Sequence, residues 1–406
     1  MVERIDQPWL FQPSVQKVLA LLSSAGGEAR VNGGAVRNAL LDEPVRDIDI
    51  ATTLEPHEVV KRASAAKIKS VPTGIDHGTV TLVIDNDAYE VTTLRRDVET
   101  DGRHAVVRFG TDWTEDAQRR DLTMNALYCD ADGTVFDPLS GYDDLINRRV
   151  RFIGDALDRI REDRLRILRF FRFFAWYGAF RPDADGLRAC VREKNGLRNL
   201  SAERIWQEMS KLLAAPDPSR ALLWMRQTGV LSTVLEESEN WGIDTIHSLV
   251  RVEREKNWQP DALLRLMAII PPNTERVNAM STRLKLPNKV RDRLLAWAAS
   301  PMPDKKLKKP DFHKWLYWQD TSAVEARLRL LIASDGNGAN KAQKRLKWLM
   351  KWEKPTFPVR GSDLLQLGFE PGPKISQTLT DLEARWVNLD FKATTQDLLG
   401  DVTAPV

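Results

Sequence analysis

The chain has 406 residues, 42% of them hydrophobic, enough to bury a sizeable core, and its length suits two to four domains or an elongated body of several parts. Two cysteines far apart in sequence, Cys129 and Cys190, offer neither a disulfide framework nor the spacing of a zinc site, and the first residues lack a basic-then-apolar signal pattern. No apolar run approaches the roughly 18 residues of a membrane span, so the expectation is a cytoplasmic protein with no membrane partner. A net charge of +3 hides an uneven distribution, because residues 301–360 carry fourteen Lys and Arg against six Asp and Glu, a local +8. Such asymmetry points to an acidic partner.

In chain order, "ARVNGG" has the character of a short strand ending in a glycine turn, "AVRNALL" of a helix, and "RDIDIATT" of a second strand. Further strand-like runs follow in "KSVPTG", "TVTLVID", "AYEVTTL" and "LYCDADGTVFD", so the chain up to about residue 151 is of mixed α and β type. Residues 95–116 are polar and charged with little periodicity, as in a loop. Beyond residue 151 the pattern changes to helical apolar spacing, as in "RIREDRLRILRFFRFFAWYG", "AERIWQEMSKLLAAP" and "PDALLRLMAII", separated by Gly, Pro and Ser. "DGNGAN" is expected as a loop and "TQDLLGDVTAPV" as a frayed end. The lysines of the basic stretch interleave with Trp315, Tyr317, Trp318, Trp348 and Trp352, which suit either base stacking or the core of a helical domain.

Side chains on a strand repeat with period two, so Asp47 and Asp49 are expected on one face with Ile48 and Ile50 toward the core. Two carboxylates that close favour a cation beside them, and hard oxygen ligands suit Mg²⁺. Upstream, Gly33 and Gly34 let the backbone approach a phosphate at a helix start, and Arg37 adds positive charge one turn later. Alone, the acid pair also fits a solvated strand end and the glycine pair an ordinary turn. Glu90, on a later strand, is either a third carboxylate near the acid pair or another solvated strand end, and His77 suits a structural turn.

Three more stretches complete an ordered set. "RRDLTMNAL" places Arg119, Arg120 and Asp121 before a helix-forming run, "DPLSGYDDLINRRVRFIGD" follows, and "REDRLRILRFFRF" opens the helical part. Together with the glycine turn and the acid pair, these motifs resemble those of the class II tRNA nucleotidyltransferase and bacterial poly(A) polymerase family, a branch of the DNA polymerase beta-like nucleotidyltransferases, over roughly residues 31–176. The resemblance implies an α+β chain: a nucleotidyltransferase head with a mixed sheet (residues 1–150), then an elongated all-helical neck that recognises the base (151–215), body (216–300) and basic, RNA-binding tail (301–406). It also likens residues 95–116 to the family's flexible loop.

The same resemblance assigns Asp47 and Asp49 as Mg²⁺-binding catalytic carboxylates and Gly34, Arg37 and Arg120 as nucleotide contacts. Asp163 and Arg166 fall at the base-reading positions, with Arg169 and Arg172 as further nucleotide-binding arginines. The chemistry agrees, since a carboxylate accepts from an exocyclic amine and a guanidinium donates to a ring nitrogen or carbonyl oxygen, which selects amino-bearing bases. On a helix, three-residue steps drift by about 60°, so Asp163, Arg166, Arg169 and Arg172 would form a slanting row, with Phe170, Phe171, Phe173 and Phe174 toward the core. The implied activity is template-independent addition of CCA to tRNA 3′ ends from CTP and ATP, by attack of the 3′-hydroxyl on the α-phosphate with loss of pyrophosphate; no DNA partner is expected. The alternatives are a poly(A) polymerase or an enzyme adding only A or only C, and, further off, an RNA-binding relative without chemistry, against which the intact Asp47 and Asp49 argue. No His-Asp dipeptide occurs, so a fused phosphohydrolase domain of the HD type is not expected.

Overall fold

Alternating burial along short strands shapes the first part of the molecule. The structure, a computed structural model, describes all residues except 1, 2, 102, 103, 240, 305, 335, 337 and 404–406, and of 97–101, 104–107, 243 and 244 the backbone alone. The chain divides into two compact units, Met1–Glu239 and Asn240–Val406.

In the first unit, strands β1 (Ala29–Asn32), β2 (Asp49–Thr52), β3 (Lys69–Gly74), β4 (Thr79–Ile84) and β5 (Asp87–Thr93) appear where expected. Strands β6 (Arg95–Asp101) and β7 (His104–Phe109) follow, then β8 (Tyr128–Cys129) and β9 (Val135–Phe136). Seven of them form one sheet in the order β3-β4-β5-β2-β1-β8-β9. β2 runs parallel to β5 and the other neighbouring pairs are antiparallel, which makes the sheet mixed. Along β4, Val80, Leu82 and Ile84 are buried while the residues between them are only half-buried, the signature of a strand with one face on the core. Helices α1 (Pro13–Ser23) and α3 (Pro56–Ala65) cover the sheet, α1 through a stripe of Val15, Val18, Leu19 and Leu22. Between them in sequence lies the short α2 (Gly34–Leu40).

Residues 95–116, expected as a loop, are ordered otherwise. β6 and β7 pair antiparallel as a separate two-stranded sheet, and Asp112 then caps α4 (Trp113–Gln118), its carboxylate accepting from the backbone N–H of Thr114 and Glu115; Gly102 and Arg103 lie outside the described residues. Ladder hydrogen bonds join backbones whatever the polarity of the side chains, and Val98, Thr100, Val106 and Val107 favour extended backbone, so the charges concealed a strand propensity.

Helices α5 (Gly141–Ile146), α6 (Ala156–Glu162), α7 (Arg166–Tyr177), α8 (Ala184–Glu193), α9 (Ala202–Leu213), α10 (Ser219–Gln227) and α11 (Val230–Val234) complete the unit. The stretch read as one helix through the E-D-x-x-R motif is two. Asp163 lies between α6 and α7 in an extended conformation (φ −148°, ψ 110°), so it does not belong to the row of arginines on α7. The cause is local: its Oδ1 accepts from the Leu165 N–H at 3.0 Å and its carbonyl from the Arg166 N–H, a capping role that Asp fills better than helix continuation. The four phenylalanines of α7 are buried, with Phe170 stacked on Phe152 at 5.3 Å.

The second unit is helical among its described residues: α12 (Ile243–Glu255), α13 (Ala262–Ile269), α14 (Thr274–Arg283), α15 (Asn288–Ala299), α16 (Lys309–Tyr317), α17 (Thr321–Ala333), α18 (Ala339–Leu349), α19 (Gly361–Gln366), α20 (Pro373–Asn388) and α21 (Thr395–Leu399). One core gathers Phe312, Leu316, Val324 and Leu328, another Tyr317, Leu382, Trp386 and Val387. Trp315, Trp348 and Trp352 pack against these cores, so four of the five interleaved aromatics are structural, whereas Trp318 stays 50% exposed. The end expected to fray instead closes in α21, where Thr394 and Asp397 form a reciprocal capping box and Leu398 is buried; residues 404–406 lie outside the described residues. No helix among the described residues is long and apolar enough to cross a membrane.

Leu82, fully buried in β4, should lower stability by about 3 kcal/mol when cut to Ala, whereas Val71→Ala on the exposed β3 should stay within about 0.5 kcal/mol in urea unfolding. Equal losses at the two positions would place the core elsewhere.

Candidate active site

The sheet register brings three side chains together. Asn32 on β1 is paired with Asp49 on β2, and Asp49 with Glu90 on β5, so the three stand side by side across neighbouring strands. Asp49 is the first residue of β2, and Asp47 lies just ahead of the strand rather than in it, yet both line one cavity. Asp49 keeps an exposed edge, but the cleft walls partly desolvate its carboxyl and the negative charges of Glu90 and Asp47 add to this, so its pKa lies above the usual range although Arg120 pulls the other way. No set of three or more His, Cys, Asp or Glu among the described residues gathers in metal-holding geometry. Two oxygen donors lining one cavity with a third carboxylate beside them nevertheless fit a hard divalent cation, whose charge would offset both the desolvation of Asp49 and its repulsion by Glu90 and Asp47.

The glycine turn serves the opposite charge. Gly33 has φ +62°, a conformation that favours glycine, and a Cβ there would come within 3.3 Å of Nη1 of Arg120. One turn into α2, Arg37 is buried, donates from Nη1 to Asn125 Oδ1 at 2.6 Å and from Nη2 to the Tyr177 hydroxyl at 2.9 Å, and lies 4.3 Å from the centre of the Tyr177 ring. Burial lowers its pKa, opposed by Tyr177. Arg120 donates to Asp116 at 3.1 Å and to Asn32 Oδ1 at 3.1 Å. Burial would raise Asp116, but Arg120, Arg119 and the Tyr128 hydroxyl bring its pKa below the usual value. The run after Asp121 proves to be a single 3-10 turn, Thr123–Asn125, not a helix.

The arginines of α7 are held by carboxylates from several directions. Arg166 pairs with Glu162, Arg169 donates from Nε to Asp121 at 2.6 Å, and Arg172 donates from Nε to Glu208 on α9 at 2.6 Å. Arg204, also on α9, donates to Asp163 at 2.5 Å. Asp121 is buried, which alone would raise its pKa, but Arg169, Asn125 and the Leu122 N–H bring it down to about 2.

A cleft of about 450 Å³ is lined by Gly34, Arg37, Asp49, Arg120, Asp163, Arg166 and Arg169. A second cavity of about 330 Å³ shares Gly34, Arg37 and Asp49 with it and adds Asp47 and Arg172. All nine residues singled out from sequence thus meet here, carboxylates at one end and arginines along the other. Asn32, Asn125, Asp121, Arg204 and Glu208 also serve the cleft and were not singled out. Asp121 was visible in the R-R-D motif, and Arg204 and Glu208, four apart at the start of an amphipathic helix, share one face. His77 is exposed and does not line either cavity.

Two domain families match: the "Poly A polymerase head domain" over residues 29–151, within the first unit, and the "Probable RNA and SrmB- binding site of polymerase A" over 179–241, which runs two residues past it and takes in residue 240 outside the described set. The mitochondrial CCA tRNA nucleotidyltransferase 1 of Danio rerio is 32% identical over 384 residues, 93% of this chain and 87% of the relative. The CCA-adding enzyme of Geobacillus stearothermophilus is 32% identical over 392 residues, 93% of this chain and 94% of the relative. Among solved structures, the Bacillus stearothermophilus CCA-adding enzyme in complex with CTP, 29% identical, matches with a TM-score of 0.71 over 95% of this chain and 94% of that one.

Asp121 is protonated only near pH 2 in the folded chain but near 4 when unfolded, so its stabilisation is complete above pH 4 and lost as pH falls toward 2. Asp121→Asn should cost about 2 kcal/mol at neutral pH in urea unfolding, a deficit that shrinks between about pH 4 and 2. A deficit independent of pH would remove the Asp121–Arg169 pair as its source.

Proposed function

Because the chain belongs to the family of CCA-adding tRNA nucleotidyltransferases, we propose that this cleft is where CTP and ATP are chosen and transferred to the 3′ end of tRNA. The observation that carries the reading is that Asp49 and the pair Asp163 and Arg166 line one cavity, so the reacting end and the base-reading end of a single bound nucleotide are served together. The reaction joins the RNA 3′-oxygen to the α-phosphorus of the nucleotide as the bond to pyrophosphate breaks. Asp47 and Asp49 are the residues that would hold Mg²⁺, which when bound supplies charge neutralisation at the phosphates and a lowered pKa for the attacking hydroxyl.

The protein's own groups account for the rest. Gly33 and Gly34 open the backbone beside the phosphates, and Arg37 and Arg120, each fixed by hydrogen bonds, present positive charge to them without reorganising. Asp163 keeps acceptor capacity beyond its bonds to the Leu165 N–H and Arg204, and accepts the exocyclic amine of cytosine or adenine. Arg166 keeps donors beyond its pair with Glu162 and gives them to the ring nitrogen. Uracil and guanine would turn a carbonyl oxygen toward the Asp163 carboxylate, an unpaired acceptor against an acceptor, and are refused. Arg169 and Arg172, further along α7, follow the nucleotide toward its charged end.

We divide the chain by role into a catalytic head (1–150), a base-reading neck (151–215), a body (216–300) and a tail (301–406) whose local +8 charge suits RNA phosphates. A cytoplasmic location suits the two buried cysteines, which form no disulfide, while the mitochondrial relative keeps an organelle as the alternative.

Purified protein given Mg²⁺ and tRNA lacking its last three nucleotides should add two C from CTP alone and C, C, A from CTP with ATP, read on a sequencing gel. Long A tracts on unrelated RNA would contradict this and favour a poly(A) polymerase. Asp163→Asn, whose amide can donate as well as accept, should admit UTP at least about tenfold better than the parent does; unchanged refusal of UTP would remove Asp163 as the base reader.

A further inference from the structure

The nucleotide cleft does not end at the acid pair. The second cavity of the first unit, about 330 Å³, shares Gly34, Arg37 and Asp49 with the first and continues past Asp47 to Arg46 and Lys211. Helix α7 orders the two cavities. Arg166 and Arg169 line the first and Arg172 and Trp176 the second, and a rise of about 1.5 Å per residue sets Arg172 about 9 Å beyond Arg166 along the axis.

The cations of the second cavity are of two kinds. Arg37 and Arg172 are committed to neighbours, the first to Asn125 and Tyr177 and the second to Glu208. Arg46 and Lys211 are exposed, and neither makes an ion pair or a side-chain hydrogen bond among the described residues. Lys211 is nonetheless held at the wall through its backbone, because its carbonyl accepts from the Trp176 indole N–H at 2.8 Å and so ties the last turn of α9 to the last turn of α7. Of the three carboxylates that line this cavity, Asp47 and Asp49 are the pair that would hold Mg²⁺, which leaves Glu43 alone against two unpaired cations.

In-line displacement decides what these cations face. The attacking and departing oxygens stand on opposite sides of the α-phosphorus, so the RNA 3′-oxygen and the pyrophosphate cannot share one side of it. With the base at Asp163 and Arg166 in the first cavity and the acid pair at the junction, the second cavity is open to one of the two. Unpaired cations at its far end suit the concentrated charge of a pyrophosphate better than the single charge of each RNA phosphodiester.

We propose, resting on the nucleotidyl-transfer reading above, that the second cavity receives the β- and γ-phosphates of the bound nucleotide and holds the departing pyrophosphate, with Arg46 and Lys211 as its contacts. The RNA 3′-oxygen bonds to the α-phosphorus and gives up its proton to water. The bond from the α-phosphorus to the bridging oxygen breaks, its electron pair stays on the pyrophosphate, and Arg46 and Lys211 face that charge.

The test measures binding and product inhibition on the full-length protein. In calorimetric titrations with Mg²⁺ and no RNA, where no turnover occurs, the double variant Arg46→Ala with Lys211→Ala should bind CTP and ATP at least about tenfold more weakly, by the same factor for both bases. In CCA addition it should raise the inhibition constant of inorganic pyrophosphate at least about tenfold and leave the KM for tRNA in place, while Arg46→Lys with Lys211→Arg should restore both values. The melting temperature should not move, since both side chains are exposed and unpaired. A loss confined to one base, unchanged inhibition by pyrophosphate, or a raised KM for tRNA with CTP binding intact would overturn the assignment, the last in favour of the RNA 3′ end as occupant. Parent protein that adds C to tRNA in the same assay separates such a failure from a failure of the reaction itself, which would sink both.

Discussion

Arginines gathered in one cleft must be held there against their mutual repulsion, and the first unit is organised around that constraint. Arg120, Arg166, Arg169, Arg172 and Arg204 each lean on a carboxylate, from Asp116, Glu162, Asp121, Glu208 and Asp163 respectively, and Arg37 on the hydroxyl and ring face of Tyr177. A buried ion pair contributes little net stability once desolvation is counted, but breaking one by removing a partner is expensive, so the pairs act chiefly to fix position. The opposite end is crowded the other way, with desolvation first and then the charges of Glu90 and Asp47 raising the Asp49 carboxyl. A cavity negative at one end and positive along the other is complementary to a cation at its acidic end and a polyphosphate reaching away from it.

How much of this could be read from the amino-acid order depended on the range of the interaction. The alternation in "TVTLVID" and the apolar spacing of α7 are short-range patterns, and both elements appear where they were expected. Asp47 and Asp49 were found from their spacing, although β2 begins only at Asp49. The register that seats Glu90 beside Asp49 joins residues 41 apart and leaves no local trace. The Arg204–Asp163 pair joins residues equally distant, and only the fold makes it. Asp163 itself misled by helical counting, since a short acidic side chain that bonds the backbone two residues on ends one helix and starts the next.

Polarity misled in a second way. Residues 95–101 and 104–109 pair as antiparallel strands despite their charges, because ladder bonds belong to the backbone. "TQDLL" is held as α21 by the Thr394–Asp397 box and by one buried leucine, where composition suggested a loose end. In the basic stretch, lysines and tryptophans interleave because helices show both to different sides: Trp315, Trp348 and Trp352 face cores, and Lys344 lies 5.4 Å over the Trp348 ring. The interleaving therefore expresses amphipathic packing for most of these aromatics, and the charge remains the part of the pattern that speaks to RNA.

The central claim is that protein side chains choose the base by hydrogen-bond polarity before any RNA is present. Equilibrium binding of the four ribonucleoside triphosphates to the protein alone, with Ca²⁺ in place of Mg²⁺ to prevent turnover, tests it most directly. CTP and ATP should bind with dissociation constants within about tenfold of each other, and UTP and GTP at least about tenfold more weakly than either. Four equal affinities would contradict the account and move base selection from Asp163 and Arg166 to the RNA.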